Sequence, residues 1–344
     1  MDTWRFNLCA TDSLVMHIKK MRLGWLRQAY IKDWLIQAGV IVGLLLVLTY
    51  LVSMLSSNLQ AKNIVSGFDF LTKPASFGIG EGVYDFEAGS PYWQAFAAGL
   101  ANTLRVALLA IVLSAVLGLA LGFGRLSKNI LLRGLCISYV EIFRNIPLLL
   151  QFLAWYFLLT TLLPAEAWQF LGHCYLSKSG LSFPIPIGLS LTWDFPSRNP
   201  FNIAGGARLT PEFLTVLFGL TLYTAAYLAE NIRAGLESVP HGQVEAGAAL
   251  GLTHQQILRH ILFPQALRVI IPPATNQFSG LIKSSSLAIT VGYPDLVSIA
   301  NTSLILTGHA AECIFLIIIT YLLLSLLLSV IMNWLNRKFQ IVER

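Results

Sequence analysis

Hydrophobic residues collect into six blocks along the chain, each close to the roughly 18 residues that a helix needs to cross a bilayer. The first, Ile36 to Ser53 (IQAGVIVGLLLVLTYLVS), follows a segment carrying Arg5, Lys19, Lys20, Arg22, Arg27 and Lys32. That leader is too long for the charged start of a signal peptide, and no A-x-A cleavage site follows the apolar run. The block therefore predicts an uncleaved anchor. Val106 to Phe123, Ile146 to Leu163 and Phe213 to Ala229 predict three further spans, and Ile314 to Met332, which carries no charge, predicts the sixth. The fifth, Val269 to Val291, is interrupted by Pro272, Pro273, Asn276, Gln277 and Lys283. The pattern predicts an all-α integral membrane protein.

Composition narrows this further. Of 344 residues, 56% are hydrophobic and 12% charged, against about 25% charged in a soluble domain; the mean hydropathy is +0.68. A water-soluble enzyme is excluded. The net charge of +6 comes from residues flanking the spans, where it encodes orientation rather than nucleic-acid binding. Arg125, Lys128 and Arg133 follow the second span, and Arg337, Lys338 and Arg344 follow the sixth. Residues 54 to 93 set Lys62 and Lys73 against Asp69, Glu81, Asp85 and Glu87. With the basic leader in the cytoplasm, six crossings place both termini there and leave residues 54 to 93 and about 164 to 212 outside. The second of these segments is rich in Pro, Gly and aromatics (FPIPIG, DFPSRNP), and loops of that length either pack as a cap or bind an external partner. Cys9, Cys136, Cys174 and Cys313 lack metal-ligand spacing, and only Cys174 and Cys313 fall where a disulfide could form. His241, His254 and His260 share one loop without making a metal site.

The most informative stretch lies between the fourth and fifth spans, about residues 230 to 268. Val244 to Leu250 predicts a short helix rich in Ala and Gly, with Glu245 at its start and Gly251 as its stop. Thr253 then caps a second helix holding Ile257, Leu258, Ile261 and Leu262, ended by Pro264. Small residues on one side of a short helix let another surface approach closely. The element is either a docking knob for a soluble partner or an amphipathic connector lying on lipid.

Its spacing is recognisable. Glu245-Ala246-Gly247, three residues, Gly251, nine residues, then Ile261-Leu262-Phe263-Pro264 resembles the E-A-A-x-x-x-G-x9-I-x-L-P signature of permease subunits of binding-protein-dependent ABC importers. Gly247 replaces the second Ala and Phe263 replaces Leu, and both keep the character of the position. Asn102-Thr103-Leu104, Glu141-Ile-Phe-Arg144-Asn-Ile-Pro147, Ala229-Glu230-Asn-Ile-Arg233-Ala-Gly235 and Lys283-Ser284-Ser285-Ser286-Leu287 look like the polar amino-acid branch, the histidine and glutamine type. The resemblance covers about residues 99 to 336. The leader (1–35), the extra span (36–55), the periplasmic segment (56–98) and the insertion near 164 to 212 resemble the long permeases of general L-amino-acid importers, and 337–344 would be a cytoplasmic tail.

The resemblance implies a type I permease core of five helices plus one N-terminal helix, multi-pass in the bacterial inner membrane. It also implies a non-catalytic subunit with no bound cofactor. ATP and Mg would sit on two copies of a partner ATPase, and the chain has no G-x-x-x-x-G-K-[ST] sequence of its own. A periplasmic amino-acid-binding protein would deliver substrate, and a second permease, a paralogue by analogy with the long forms, would complete the path. Glu245, Ala246, Gly247, Gly251, Leu252, Ile261 and Pro264 would belong to the coupling element, with His254 to His260 supporting it.

Polar residues inside spans are costly and should face the bundle interior or a water-filled path. Lys283, with Ser284, Ser285, Ser286, Asn276 and Gln277 near it, either meets a substrate carboxylate, pairs with Glu141 or Glu230, or snorkels. Glu141 with Arg144, and Glu230 with Arg233, stand three residues apart and predict ion pairs at helix ends. Pro147, Pro272 and Pro273 free backbone carbonyls, which either kink the helix or offer acceptors to a polar solute. The rival readings are an ion-gradient-driven secondary transporter, which wants a mid-span acid and an inverted repeat, and a membrane anchor for a signalling ATPase, which has no use for a polar fifth span.

Overall fold

The computed structural model describes residues 34–54, 57–58, 66–83, 86–187, 192–199 and 203–339. Cys9, the charges of the leader, Lys62, Asp85 and Arg344 lie outside the described residues. Helix α1 (Trp34–Met54) is an uninterrupted apolar rod in a unit of its own, which ends at residue 66.

The second unit begins at Gly67. A 3-10 turn (Asp69–Thr72) and an extended stretch lead into α2 (Tyr92–Arg125). Hydropathy starts this span at Val106, yet the helix starts at Tyr92. Its first turns are held by an apolar wall of Phe70, Ala75, Phe86, Leu296 and Ile299, which packs on Tyr92, Ala95 and Phe96. Asn129 caps α3 (Ile130–Asn145) by accepting from the amides of Leu131 and Leu132.

The predicted third span is α4 (Leu148–Leu162), and it meets α3 at a bend of 106°. Pro147 sits in the bend, unable to donate a backbone hydrogen bond. The Gln151 side chain repairs the gap by donating to the carbonyls of Phe143 and Ile146, both at 2.9 Å. An amide buried at a break in the backbone ladder is how a helix stays kinked in lipid.

The long insertion adds short strands to the predominantly helical fold. It holds β1 (Trp168–Phe170), β2 (Cys174–Ser177), β3 (Gly180–Phe183), β4 (Ile185–Ile187), β5 (Thr192–Asp194), β6 (Ser197–Arg198), β7 (Ile203–Ala204) and β8 (Ala207–Leu209). The strands β1-β2-β3-β8 make one antiparallel sheet, with Leu176 opposite Leu181 and Leu181 opposite Leu209. Leu181 and Leu209 rest on the helical core. Runs of two to four residues carry too few periods for alternation to show in sequence. Gly180, at φ +107°, cannot be replaced, since a Cβ would lie 2.0 Å from the Leu209 carbonyl oxygen. Cys174 and Cys313 are both free thiols, Cys313 buried in the apolar wall beside α2.

Thr210 caps α5 (Pro211–Glu237), with Pro211 pre-set for the first turn. There follow α6 (His241–Ala249), α7 (His254–Ile257), a π turn (Leu258–Leu262), α8 (Phe263–Ser284), a 3-10 segment (Ser285–Val291), α9 (Leu296–Thr307) and α10 (Ala310–Phe339). Pro264 does not end a helix, as its sequence suggested. It lies in the first turn of α8, directly after the π turn, so the helical run continues past it. A π turn re-routes the backbone bonds, so a residue without an N–H is tolerated there. Pro272 and Pro273 lie inside α8 without stopping it.

Among the described residues α1, α2, α5 and α10 are each long and apolar enough to span a bilayer. The bent pairs, α3 with α4 and the run His254–Val291 with α9, bring the number to six. Helix α5 is the axis, packed by α2, α3, α4 and α8. Its contact with α2 is close because Ser114, Gly118 and Gly122, four residues apart, are all buried. A Cβ on Gly118 would lie 2.7 Å from Leu228 Cβ, and one on Gly122 2.7 Å from Ile232 Cγ2. Gly118→Val is therefore expected to cost about 1–3 kcal/mol by overpacking and to lower the unfolding temperature in detergent. Gly134→Ala, in α3 with open space around it, should leave that temperature unchanged or raise it.

Candidate functional site

The turn after α5 places α6 at one end of the bundle. Glu245 is the fifth residue of this nine-residue helix rather than its start, so it gains little from the helix dipole, which acts within the first turn. Gly247 faces inward, where a Cβ would stand 2.8 Å from Ile261 Cδ1 and 3.1 Å from Ile257 Cγ1. Its smallness serves the packing of α6 on the next helix. Ala246, Ala249 and Glu245 are exposed, and Leu250 is 81% exposed. Gly251, at φ +79°, closes the helix. The Leu252 amide donates to Gly247 and the Gly251 amide to Ala248, which satisfies the terminal carbonyls. Thr253 and Gln256 then form a reciprocal capping box for α7. The result is a stiff knuckle with a free face of small residues.

Just inside this knuckle is a charge cluster. Glu230 on α5 receives Arg125 from α2 in a short hydrogen bond, Arg233 from its own helix at 2.5 Å and Arg144 from α3 at 3.7 Å. Arg233 also reaches Glu237 at 2.5 Å. The predicted pair of Glu230 and Arg233 is present. The predicted pair of Glu141 and Arg144 is not: Arg144 crosses to Glu230, and Glu141 stands 3.5 Å from the Asn145 amide. One carboxylate collecting three guanidinium groups in a half-buried site outcompetes a solvated local pair. It ties three helices together next to α6.

On α8 the residues Val269, Pro272, Asn276, Gly280 and Lys283 are exposed, while Ile270, Ala274, Phe278, Leu281 and Ile282 are buried. Steps of three and four put the exposed set on one face. Gln277, Ser284 and Ser286 lie at its half-buried margin. Ser285 does not join it; it is fully buried and donates to the Ile282 carbonyl at 2.7 Å. Lys283 makes no ion pair among the described residues, so neither Glu141 nor Glu230 holds it.

The opposite end is fastened by residues whose motif was visible and whose task was not. Asn102, fully buried, donates to the carbonyls of Glu81 and Pro294, each at 2.9 Å, and Tyr293 donates to the Asn102 carbonyl. Thr103 accepts from the Leu296 amide at 3.1 Å. Together they pin the break between the 3-10 segment and α9 onto α2. Glu81 is paired with Arg105 at 3.1 Å and with the Thr210 hydroxyl. Burial pushes its carboxyl above the usual carboxylate range, against the pull of Thr210 and Arg105.

With this geometry in hand, residues 110–341 match the family described as binding-protein-dependent transport system inner membrane component. The chain belongs to that family. This inner membrane component is 38% identical to YhdX of Escherichia coli (strain K12), provisionally named an amino-acid ABC transporter permease protein, over 91% of this chain and 95% of that one. It is 37% identical to AapQ of Rhizobium johnstonii, a general L-amino acid transport system permease protein, over 83% of this chain and 87% of that one. A crystal structure of an amino acid ABC transporter with histidines superimposes on it with a TM-score of 0.55 at 26% identity, over 72% of this chain and 95% of that one. The transmembrane core is thus that of a multi-pass inner membrane subunit.

Sequence reasoning missed Arg125 as the partner of Glu230, because it reads as one more positive charge after a span. It missed Glu81 because the residue lies in an unpatterned segment. Glu230→Gln leaves three guanidinium groups facing a neutral amide. The expected loss is on the order of 2 kcal/mol, less than a fully buried pair would cost, read as a lower unfolding temperature in detergent. Glu237→Gln, at a side chain 53% exposed, should change it by no more than about 0.5 kcal/mol.

Proposed function

We propose that this inner membrane component is the translocating subunit of an ATP-driven, binding-protein-dependent amino-acid importer. The observation that carries the reading is the exposed polar face of α8. A stripe holding Asn276 and Lys283 on a membrane helix is costly against lipid, and it is satisfied when a second permease supplies the other wall of a water-filled path. The second permease is a paralogue, as in long-form systems. Lys283 meets the carboxylate of the amino acid in transit, and Asn276 and Gln277 offer it hydrogen bonds.

The knuckle at α6 seats in a groove of the cytoplasmic ATPase, which places both termini in the cytoplasm and the β-rich insertion in the periplasm, where the binding protein docks. Two ATPase copies carry the ATP and Mg, and this chain does no chemistry. Closure of the ATPase pair turns the permeases between inward- and outward-facing states as rigid bodies. Glu245, Ala246 and Leu250 touch the ATPase, while Gly247, Gly251, Leu252, Ile261 and Pro264 hold the knuckle in shape.

The test is purification of the protein from its own membranes, followed by ATP hydrolysis with and without an amino-acid-loaded binding protein. Co-purifying ATPase and second permease, with hydrolysis raised by the loaded binding protein, supports the reading. Uptake in liposomes that follows an ion gradient and ignores ATP replaces it with secondary transport.

Two variants probe the parts separately. Ala246→Glu, at an exposed and unstrained position, should abolish most of the binding-protein stimulation of ATP hydrolysis while leaving membrane insertion intact. Lys283→Met should lower uptake about tenfold, the equivalent of ~1.4 kcal/mol, with stimulated hydrolysis retained. Full uptake across all substrates would remove Lys283 from the path.

A further inference from the structure

A cavity of about 1050 Å³ opens between the α2–α3 turn and the knuckle, larger than most small-solute pockets. Its walls are apolar, formed by Ala120 and Phe123 of α2, Leu132 of α3, and Leu258 and Leu262 of the π turn. Ser127, His241 and His254 stand at its rim. The position in the membrane follows from α2: its apolar run ends at Phe123 and the first charge after it is Arg125, so the cavity lies where hydrocarbon gives way to headgroups.

Two features identify the occupant. The cavity is continuous with an apolar surface that is unpartnered in this chain, because Ile130, Leu131 and Leu135 of α3 are exposed beside Leu132. Lys128 and Arg133, each next in sequence to a lining residue (Ser127 and Leu132), are exposed and make no ion pair among the described residues, whereas Glu237, the one carboxylate in the lining, is held by Arg233. An apolar slot under a basic rim fits an amphiphile with a long chain and an anionic head.

At 100° per residue, Ala246 and Leu250 point more than 100° away from His241 and Val244, which line the cavity, while Glu245 stands about 40° from His241, at the border between the two surfaces.

We propose that this cavity holds an anionic phospholipid, with an acyl chain against Ala120, Leu132 and Leu258 and the phosphate facing Lys128 and Arg133. The lipid would be wedged between α3 and the knuckle and would brace the knuckle against the bundle. This rests on family membership and on the cavity, not on the import reading.

The test uses the protein as it comes from its own membranes, with whatever subunits accompany it, delipidated and supplied with palmitoyl-oleoyl phosphatidylglycerol or phosphatidylethanolamine. Native mass spectrometry should find one phosphatidylglycerol per copy that survives delipidation. Ala120→Phe, which fills the slot from an exposed wall, should lose it. Lys128→Gln with Arg133→Gln, both on the surface, should lower the preference for phosphatidylglycerol over phosphatidylethanolamine severalfold. A photoreactive acyl chain should label α2, α3 and the π turn. Undiminished retention in Ala120→Phe overturns the proposal, as does crosslinking of Leu258→Cys to another protein subunit in place of lipid. Loaded-binding-protein stimulation of ATP hydrolysis, measured on the same samples, reports on import alone; its absence with the lipid retained would sink that reading and leave this one standing.

Discussion

Hydrocarbon accepts no unpaired polar group, and much of this structure can be read as the consequence. Where Pro147 breaks the helical ladder, Gln151 supplies the missing donors. Where the fifth span breaks after Val291, Asn102 and Thr103 take up the loose carbonyl and amide. Where arginines of α2, α3 and α5 meet, Glu230 stands among them. At both of these backbone breaks, and in the charge cluster, a side chain supplies the partner. On the α8 stripe Asn276 and Lys283 are instead exposed, a costly arrangement if that face meets lipid.

The two ends of the second unit are built on different principles. At the end with the strands, neutral hydrogen bonds donated by buried Asn102 and Tyr293 and accepted by Thr103 fix one arrangement of α2, the 3-10 segment and α9. At the end with α6, charge does the work, and Glu230 lies only 24% exposed between partners from three helices. Between them α2 and α5 touch backbone to backbone through Gly118 and Gly122. A rigid central pair with a tied-off end and a charged end is a lever in the mechanical sense.

Five of the six spans were legible as unbroken apolar runs, and Gly251 and Thr253 were legible because caps depend on local chemistry. The β-rich insertion was not, since its strands are two to four residues long and Leu181 meets Leu209 only through a pairing between strands far apart in sequence. The same limit explains the site. Glu230 and Arg233 are three residues apart and could be paired by eye, but Arg125 is 105 positions from Glu230 and only the fold brings it there. Ser285 looked like its neighbours until the helix turned it into the core. Pro264 read as a stop because sequence alone cannot announce a π turn.

That π turn has an evolutionary corollary. Its extra residue sets the rotation between α7 and α8, so removing any one residue from Leu258–Leu262 would let the backbone revert to an ordinary α turn. Everything before it would swing by roughly 100° about the axis of α8. The knuckle would then face a different neighbour while every one of its own residues stayed unchanged. Length in this stretch is therefore a stricter requirement than identity, and lineages of this chain should tolerate substitutions there far more readily than indels.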